Sequence, residues 1–264
     1  MDNASAIQHL NNIRLFIESQ EKAGERRFKL IVNDSNLGYA GGNNIGIQYA
    51  LESGADYVLI LNPDTTVKNN LLTKLIGVVE KNPRAGIIGT AVDEGDRITY
   101  CGEIKWLKPE LEHSTLKPKT RNLKPDFYIP GAAMFVSKKI FEKIGMFDEK
   151  YFLYFEDADF CVRARRAGFK LTVGPDAIIH HNPSSSTSKL GMALLLRYHY
   201  RNAHLFNMKN APFGAKILLP FWSIWIIMKQ AIKLLVKKNP QVSQAILNGV
   251  ADFYKGRFGK ISNF

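Results

Sequence analysis

The sequence predicts an α/β fold, with a mostly parallel sheet and its helices over residues 1–188 and a basic helical tail over residues 189–264. Three observations carry this. Short apolar segments of strand length alternate with segments of helical periodicity, the pattern of a parallel sheet. Tyr57 to Leu61, YVLIL, is a continuous apolar run, which suits a strand buried on both faces. Charge is also partitioned. Residues 1–188 hold 24 Lys/Arg and 23 Asp/Glu, a net of +1, while residues 189–264 hold 12 Lys/Arg and the single acid Asp252, a net of +11. A nearly neutral body with a basic tail is the pattern of a domain plus a docking element.

Taken in order, residues 5–22 read as a helix, with Ile7, Leu10, Ile13, Phe16 and Ile17 at helical spacing. Phe28 to Val32 reads as a strand. Asn33 to Asn44, NDSNLGYAGGNN, reads as a loop that runs into a helix ending near Ser53. After YVLIL comes NPDTT, then a helix over Leu71 to Val79 that stops at Asn82 and Pro83. A strand begins at Ile87 and Ile88, and residues 91–126 are irregular with hairpin pieces around Ile98 to Trp106. Ala132 to Val136 is a strand, Lys138 to Ile144 a short helix, and Phe169 to Val173 and Ala177 to His180 two further strands. The tail is helical over roughly 188–210, 214–238 and 241–255. In such a sheet, ligands bind beyond the carboxyl ends of the strands.

Composition narrows the class. An apolar share of 45% in 264 residues is that of a globular chain. Cys101 and Cys161 are far apart, without CxxC or a His/Cys cluster, so a disulfide framework or zinc site is not expected and a reducing compartment is. The first residues lack the features of a secretory signal. Within the tail, Ile217 to Met228, ILLPFWSIWIIM, is about 12 residues, short of the about 20 that span a bilayer. Lysines 216, 229, 233, 237 and 238 flank it, and Trp222 and Trp225 lie inside. That composition suits a helix lying in a membrane interface; the alternative is an ordinary packing helix.

Four segments can carry chemistry. Tyr151 to Gly168, YFLYFEDADFCVRARRAG, has four aromatic residues in five positions, then Glu156, Asp157 and Asp159, then Arg163, Arg165 and Arg166. From Asp157 it reads as a helix with Gly168 at its C-cap. Acids at a helix start serve as caps, but a carboxylate beside apolar rings also loses water and can be tuned as a base. Asn62-Pro63-Asp64 follows YVLIL directly. It is good turn chemistry, and it also places a carboxylate where a ligand binds and where Mg²⁺ or Mn²⁺ would find an oxygen ligand. Leu37 to Asn44 offers three glycines entering a helix, as a diphosphate would need, although it is neither GxGxxG nor a P-loop. His180 and His181 end a strand and either fill a structural role or complete a metal site.

Together the pieces resemble the inverting family-two glycosyltransferases of the GT-A fold, closest to bacterial rhamnosyltransferase-like members. The carriers are DNAS at 2–5, NLGYAGGNN, NPD, PGAAMFV, IGMFDEKYFLYFEDADFCVRARRAG and IIHHNPSSS, in order over residues 2–188. The resemblance implies roles. Asp2 would contact the nucleotide base. Asn36, Gly38, Gly41, Gly42, Asn43, Asn62 and Gly131 would line the nucleotide-sugar site. Asp64 would be the metal ligand of a DxD motif whose first position is Asn62. Asp157 would be the general base with Glu156 beside it, and His180, or else His181, would touch the metal or diphosphate. It further implies a divalent metal, Mg²⁺ or Mn²⁺, a nucleotide-diphospho-sugar donor such as dTDP-rhamnose, and a glycan or lipid-linked acceptor. The location implied is the cytoplasmic face of an anionic membrane, with no nucleic-acid partner.

One departure stands out. Family members begin with a strand, a helix and a second strand before DNAS, whereas here Met1 precedes Asp2. The expectation is a sheet lacking its first two strands, with unpaired apolar edges at 28–32 and 57–61 and reduced stability and activity. Rival readings are an inactive truncated glycosyltransferase, a sugar-nucleotide nucleotidyltransferase and a nucleic-acid binder. The second would want a basic Gly-rich loop, and NLGYAGGNN has no Lys or Arg. The third would want its charge on a groove with base-stacking aromatics, whereas here charge accompanies a Leu/Ile/Trp-rich run.

Overall fold

The computed structural model describes residues 1–24, 28–108, 110–117, 123–182 and 190–261. The expected boundary at 188/189, the expected start of the tail helices and the Ser/Thr run after Pro183 lie outside the described residues. The main sheet contains β1 (Tyr57–Leu61), β2 (Thr65–Val67), β3 (Ala85–Asp93), β4 (Ile98–Thr99), β8 (Ala133–Ser137) and β9 (Lys170–His181), ordered β1-β8-β3-β9-β2 with β4 on the end of β3. A small sheet is formed by β5 (Cys101–Lys105), β6 (Glu110–Ser114) and β7 (Phe127–Tyr128) in the order β6-β5-β7. The helices are α1 (Ile7–Lys22), α2 (Gly38–Glu52), α3 (Leu71–Lys81), α4 (Lys138–Ile144), α5 (Glu156–Arg166), α6 (Met192–Asn210), α7 (Phe213–Leu235) and α8 (Pro240–Tyr254).

The sheet is mixed rather than mostly parallel. β8 runs antiparallel to both of its neighbours, β1 and β3, and only β3 and β9 pair in parallel. β1, β3 and β9 therefore share one direction with β8 inserted between them. Alternation along the strands sorts the core into two layers. Ile87, Met134 and Val136 face the cluster that holds Phe141, Phe147, Tyr151, Phe155 and Phe160. Ile88, Phe135 and Ile179 face the other way, onto Leu71 and Leu75 of α3. Ala203, Leu205 and Phe206 of α6 belong to the first layer, so the basic segment contributes to the same core as the sheet.

Sheet closure sets the position of the site. β1 and β2 stand at opposite ends of the strand order, yet only Asn62, Pro63 and Asp64 join them. Four interstrand spacings in a flat sheet would total about 19 Å. The chain from Leu61 to Thr65 reaches at most about 14 Å. The sheet must therefore curl until the carboxyl ends of β1 and β9 come within that reach, and the NPD turn is the clasp.

Four local expectations change, while the expected unpaired edge at 57–61 is present among the described residues. Residues 28–32 form no strand: Val32 makes a single parallel bridge to Asp2, and Phe28 and Val32 stay exposed, because an extended segment without a ladder partner has nothing to hold it. The outer edge of β1 likewise has no strand partner among the described residues. The two strands expected between 169 and 180 are one, β9, whose pairing with β3 jumps from Thr90–Gly174 to Ala91–Ile178 through a bulge. The glycine-rich segment is helical from Gly38 onward. Finally, α7 has 23 residues, so it is long and apolar enough to cross a membrane by length and composition, contrary to the 12-residue reading. Pro220 lies inside it without ending it.

Phe206 tests how far α6 supports the core. It is 1% exposed, stacks on Trp106 at 5.4 Å and packs on Phe155 at 5.5 Å. Phe206→Ala is expected to lower unfolding free energy by about 3–5 kcal/mol, measured by denaturant titration. A loss under about 1 kcal/mol would mean that α6 is peripheral.

Candidate active site

The site is built on the turn that leads into α5. Phe152, Tyr154 and Phe155 have φ of 62°, 72° and 75°, in the left-handed region that non-glycine residues avoid. Such residues cost on the order of 1–3 kcal/mol each and persist only where surrounding contacts impose them. Tyr151 and Phe155 are buried in the core, and Phe152 stacks on Tyr198 at 5.2 Å. The turn delivers Glu156 and Asp157 at the first positions of α5.

The three acids divide their work. Asp159 is fully buried and accepts from Arg163 (2.7 Å), Asn210 (2.7 Å) and Tyr151 (3.1 Å), with Lys209 at 2.9 Å. Burial alone would raise its pKa, but Arg163 and Lys209 outweigh that and hold it below the ordinary range. It is a structural ion-pair centre. Glu156 is 5% exposed, and its Oε2 is buried without a hydrogen-bond partner. Burial, and then the adjacent Asp157, push its pKa well up. Asp157 is half-buried. Burial raises its pKa too, opposed by the N–H groups of Gly131 and Ala158 and by His113 of β6. The Gly131 N–H donates to Asp157 Oδ2 at 2.9 Å, and the Ala158 N–H lies 2.7 Å from Oδ1. These donors favour the ionised form. The Gly131 and Ala158 N–H groups thus favour the ionised form at Asp157, whereas burial and the adjacent Asp157 favour the protonated form at Glu156.

Gly131 connects this pair to the end of β1. Its carbonyl accepts from the Tyr39 hydroxyl at 2.6 Å, and a Cβ at Gly131 would lie 2.6 Å from that oxygen. Burial, and then the negative charge of the neighbouring Glu156–Asp157 pair, hold the Tyr39 pKa well up, so it is a neutral phenol and a donor. The next carbonyl, of Ala132, accepts from the Asn62 N–H at 3.0 Å. Asn62 opens the NPD turn, whose carbonyl takes the Thr65 hydroxyl at 2.6 Å. Asp157 and the NPD turn are thus joined by one short hydrogen-bonded path through the start of β8.

At the far side of that turn Asp64 meets β9. The Asn182 N–H donates to the Asp64 carbonyl at 3.0 Å, and His181 Nε2 lies 3.2 Å from Asp64 Oδ1. Both ring nitrogens of His181 and Asp64 Oδ1 are buried without a hydrogen bond of proper geometry. A carboxylate oxygen and an imidazole nitrogen with lone pairs unspent are the donor set of a divalent cation such as Mn²⁺. No group of three or more His, Cys, Asp or Glu side chains forms a full cage among the described residues, so further ligands would come from substrate or water. His180, expected first, projects elsewhere: the period of two on β9 turns it to Asp93, Nδ1 to Oδ2 at 3.0 Å, and leaves it 48% exposed.

The other expected residues cluster at the start of α2, largely as packing. Gly38 has φ 73°, and a Cβ there would lie 2.3 Å from the Phe152 carbonyl, so only glycine lets α2 start against the aromatic turn. Gly41 and Gly42 are buried against Leu37 and Glu149 and against Asn3 and Met1. Asn43 returns its side chain to the Tyr39 carbonyl at 2.9 Å. The first N–H groups of the helix, which a diphosphate would need, are spent: Leu37 on Asn3, Gly38 on Asn36, Tyr39 on Phe152. Asp2 is 4% exposed and its Oδ2 accepts from the Ser5 N–H at 3.1 Å. Asn3 and Asn44 were not singled out from sequence, yet they organise the region. Asn3 bridges Asn33, Asn36, Leu37 and Gly38, and Asn44 exchanges hydrogen bonds with the backbone of Phe147 and also donates to Glu149. Their adjacency to DNAS and GGNN was the available signal.

Comparison with known proteins decides the family. The model for "Glycosyl transferase family 2" matches residues 11–145, just over half of the chain. The chain belongs to glycosyltransferase family 2. Its relatives in the family include a low-salt glycan biosynthesis hexosyltransferase of Haloferax volcanii, 27% identical over 87% of this chain and 76% of the relative. The dTDP-rhamnosyl transferase RfbF of Shigella flexneri is 28% identical over 76% and 70% respectively. Among solved structures, a mannosyltransferase of Pyrobaculum calidifontis in complex with GDP-Man and Mn²⁺ superposes with a TM-score of 0.55 at 14% identity, covering 97% of this chain and 77% of that one. GalNAc-T7 with UDP, GalNAc and Mn²⁺ gives 0.58 at 15% identity, covering 96% and 49%. These likenesses show the GT-A fold of a family 2 enzyme.

The proton on Glu156 can be tested through stability. A carboxyl whose folded pKa is raised contributes stability below its unfolded value of about 4.3 and loses it as pH rises through the folded value. Glu156→Gln should therefore match the wild-type melting temperature below about pH 4.3 and exceed it by a margin that grows as pH rises above that value and levels off once the folded value is passed. A difference independent of pH, measured by differential scanning fluorimetry, would contradict the assignment.

Proposed function

We propose that this enzyme transfers a sugar, with inversion at the anomeric carbon, from a nucleotide-diphospho-sugar to a hydroxyl of a glycan or lipid-linked acceptor, using Asp157 as base. The observation that carries the reading is the Asp157 carboxylate, fixed by the Gly131 N–H within one hydrogen-bonded path of the NPD turn and its orphaned Asp64–His181 pair. In the step, the acceptor oxygen bonds to the anomeric carbon, the bond from that carbon to the diphosphate oxygen breaks, and the acceptor proton passes to Asp157. A positioned base is worth about 10²–10⁴ in rate. Protonated Glu156 beside it keeps a second negative charge out of the pocket. Asp64 and His181 would hold a divalent cation, whose chemistry when bound is to offset charge on the departing diphosphate. Asn62, Asn36 and Gly131 are the residues we assign to the donor side, with dTDP-rhamnose as the first donor to test, by analogy with the Shigella relative, and UDP-hexoses next.

An anionic membrane is the proposed setting. The face of α7 away from the protein exposes Phe213, Phe221, Ile224, Trp225 and Met228, each more than half exposed. Its other face, with Leu219, Ser223 and Ile226, packs against α6 and α8. A helix fixed along one side is disposed to lie in an interface rather than to cross it. Lys229 sits over the Trp225 ring at 4.7 Å, and each such cation near anionic lipid adds about 1 kcal/mol.

Asp157→Asn is expected to reduce transfer by about 10²–10⁴-fold while nucleotide-sugar binding remains. Asp64→Ala and His181→Ala should each weaken Mn²⁺-dependent nucleoside diphosphate binding, and His180→Ala should not. Full transfer by Asp157→Asn would remove it as base. On vesicles at low salt, the protein should partition onto anionic over neutral lipid; equal partitioning would remove the membrane assignment.

A further inference from the structure

We propose that Asn202 of α6 is a positioning residue for the transfer: it holds the left-handed turn that aims Asp157. The inference rests on the reading of Asp157 as the base. Asn202 is fully buried in mid-helix. Its side-chain nitrogen donates to the carbonyls of Tyr151 (2.7 Å), Leu153 (2.7 Å) and Tyr154 (3.2 Å). Each of these carbonyls immediately precedes a residue at positive φ, Phe152, Tyr154 or Phe155, so one amide gathers the carbonyls along the unusual backbone. The orientation of the amide is not free. Arg201, 1% exposed, donates through Nε to Asn202 Oδ1 at 2.9 Å, and a guanidinium can only donate. The oxygen must therefore face Arg201 and the nitrogen must face the turn.

Arg201 is itself anchored, to the carbonyls of Tyr151 at 3.1 Å and Gly259 at 2.8 Å, with its guanidinium over the Tyr198 ring at 5.0 Å. The turn is gripped from the opposite side by α2, where the Tyr39 N–H donates to the Phe152 carbonyl at 2.7 Å and the Tyr39 hydroxyl reaches Gly131. Asn202 and Tyr39 thus fix the segment between the donor-side helix and the base. Asn202 touches neither substrate nor Asp157, so its effect is on where the base stands. A displacement of about 1 Å at a reacting group is worth on the order of 10²-fold in rate.

Two variants of the full chain separate geometry from folding. Asn202→Ala removes the donors and the packing. Asn202→Asp keeps the shape and pairs with Arg201, which supports the fold, but presents only acceptors to three carbonyls. Leu75→Ala, in the other core layer, serves as a control for lost stability. Hydrogen exchange at the amides of residues 153–157 is read together with transfer from dTDP-rhamnose or UDP-hexoses and with binding of dTDP or UDP in Mn²⁺. The expectation for both Asn202 variants is faster exchange, kcat lower by about 10²-fold and nucleotide Kd within about twofold of wild type. Leu75→Ala should keep kcat. Unchanged exchange in Asn202→Asp, or a kcat loss no larger than that of Leu75→Ala at matched melting temperature, overturns the proposal. If the wild type consumes no donor, the transfer reading fails, and the exchange result alone decides whether Asn202 holds the turn.

Discussion

The peptide of Gly131 is the constraint on which the site depends. Its N–H fixes the Asp157 carboxylate, its carbonyl takes the Tyr39 hydroxyl, and the adjoining Ala132 carbonyl takes the N–H of Asn62. Three segments far apart in sequence meet there: the start of α2, the end of β1 and the start of α5. A Cβ there would lie 2.6 Å from the Tyr39 oxygen, so a side chain would displace that hydroxyl from the Gly131 carbonyl. A single backbone unit thus sets the Asp157 carboxylate relative to the turn that carries Asp64. The small sheet adds to the same environment from outside, through His113.

The second constraint is energetic. An aromatic turn with three residues at positive φ is unfavourable in isolation and exists because core packing and buried donors over-determine it. Most of those donors come from α6, in the basic segment that charge alone marks as a docking element. The segment serves two ends. α6 fills the core with Leu205 and Phe206 and hydrogen-bonds the turn before α5, while α7 leaves an apolar face outward with lysines along its length. Burying part of the segment in the enzyme core fixes the orientation of α7 relative to the cleft, which is what presentation of a lipid-linked acceptor would require.

Much of this was legible in the sequence. YVLIL, AAMFV and the helix after the aromatic wall lie where their patterns put them, because buried strands and amphipathic helices have strong local signatures. Strand direction was not legible: AAMFV reads the same whether it enters parallel or antiparallel, and it entered antiparallel. Phe28 to Val32 has strand composition, but a strand also needs a neighbour, and only Val32 found one. The glycines of the NLGYAGGNN segment suggested a phosphate cradle; what the sequence did not show is that they also allow close packing of α2 on Phe152, Glu149 and Asn3, which depends on tertiary approach. Which of His180 and His181 would face Asp64 needed the register of β2 on β9, a fact no single strand contains. Asn202 left no trace at all, since an asparagine within a helix has no local mark of the carbonyls it will meet.

The central claim is that Asp157 and the Asp64–His181 pair serve one cleft. The most direct test is a crystal structure of the protein with Mn²⁺ and a nucleoside diphosphate, with the metal located by its anomalous signal. The account predicts a single Mn²⁺ bound by Asp64 and His181, with the diphosphate between it and the side of Gly131 that faces Asp157. A metal bound elsewhere, or a nucleotide on the opposite side of the sheet from Asp157, would contradict it.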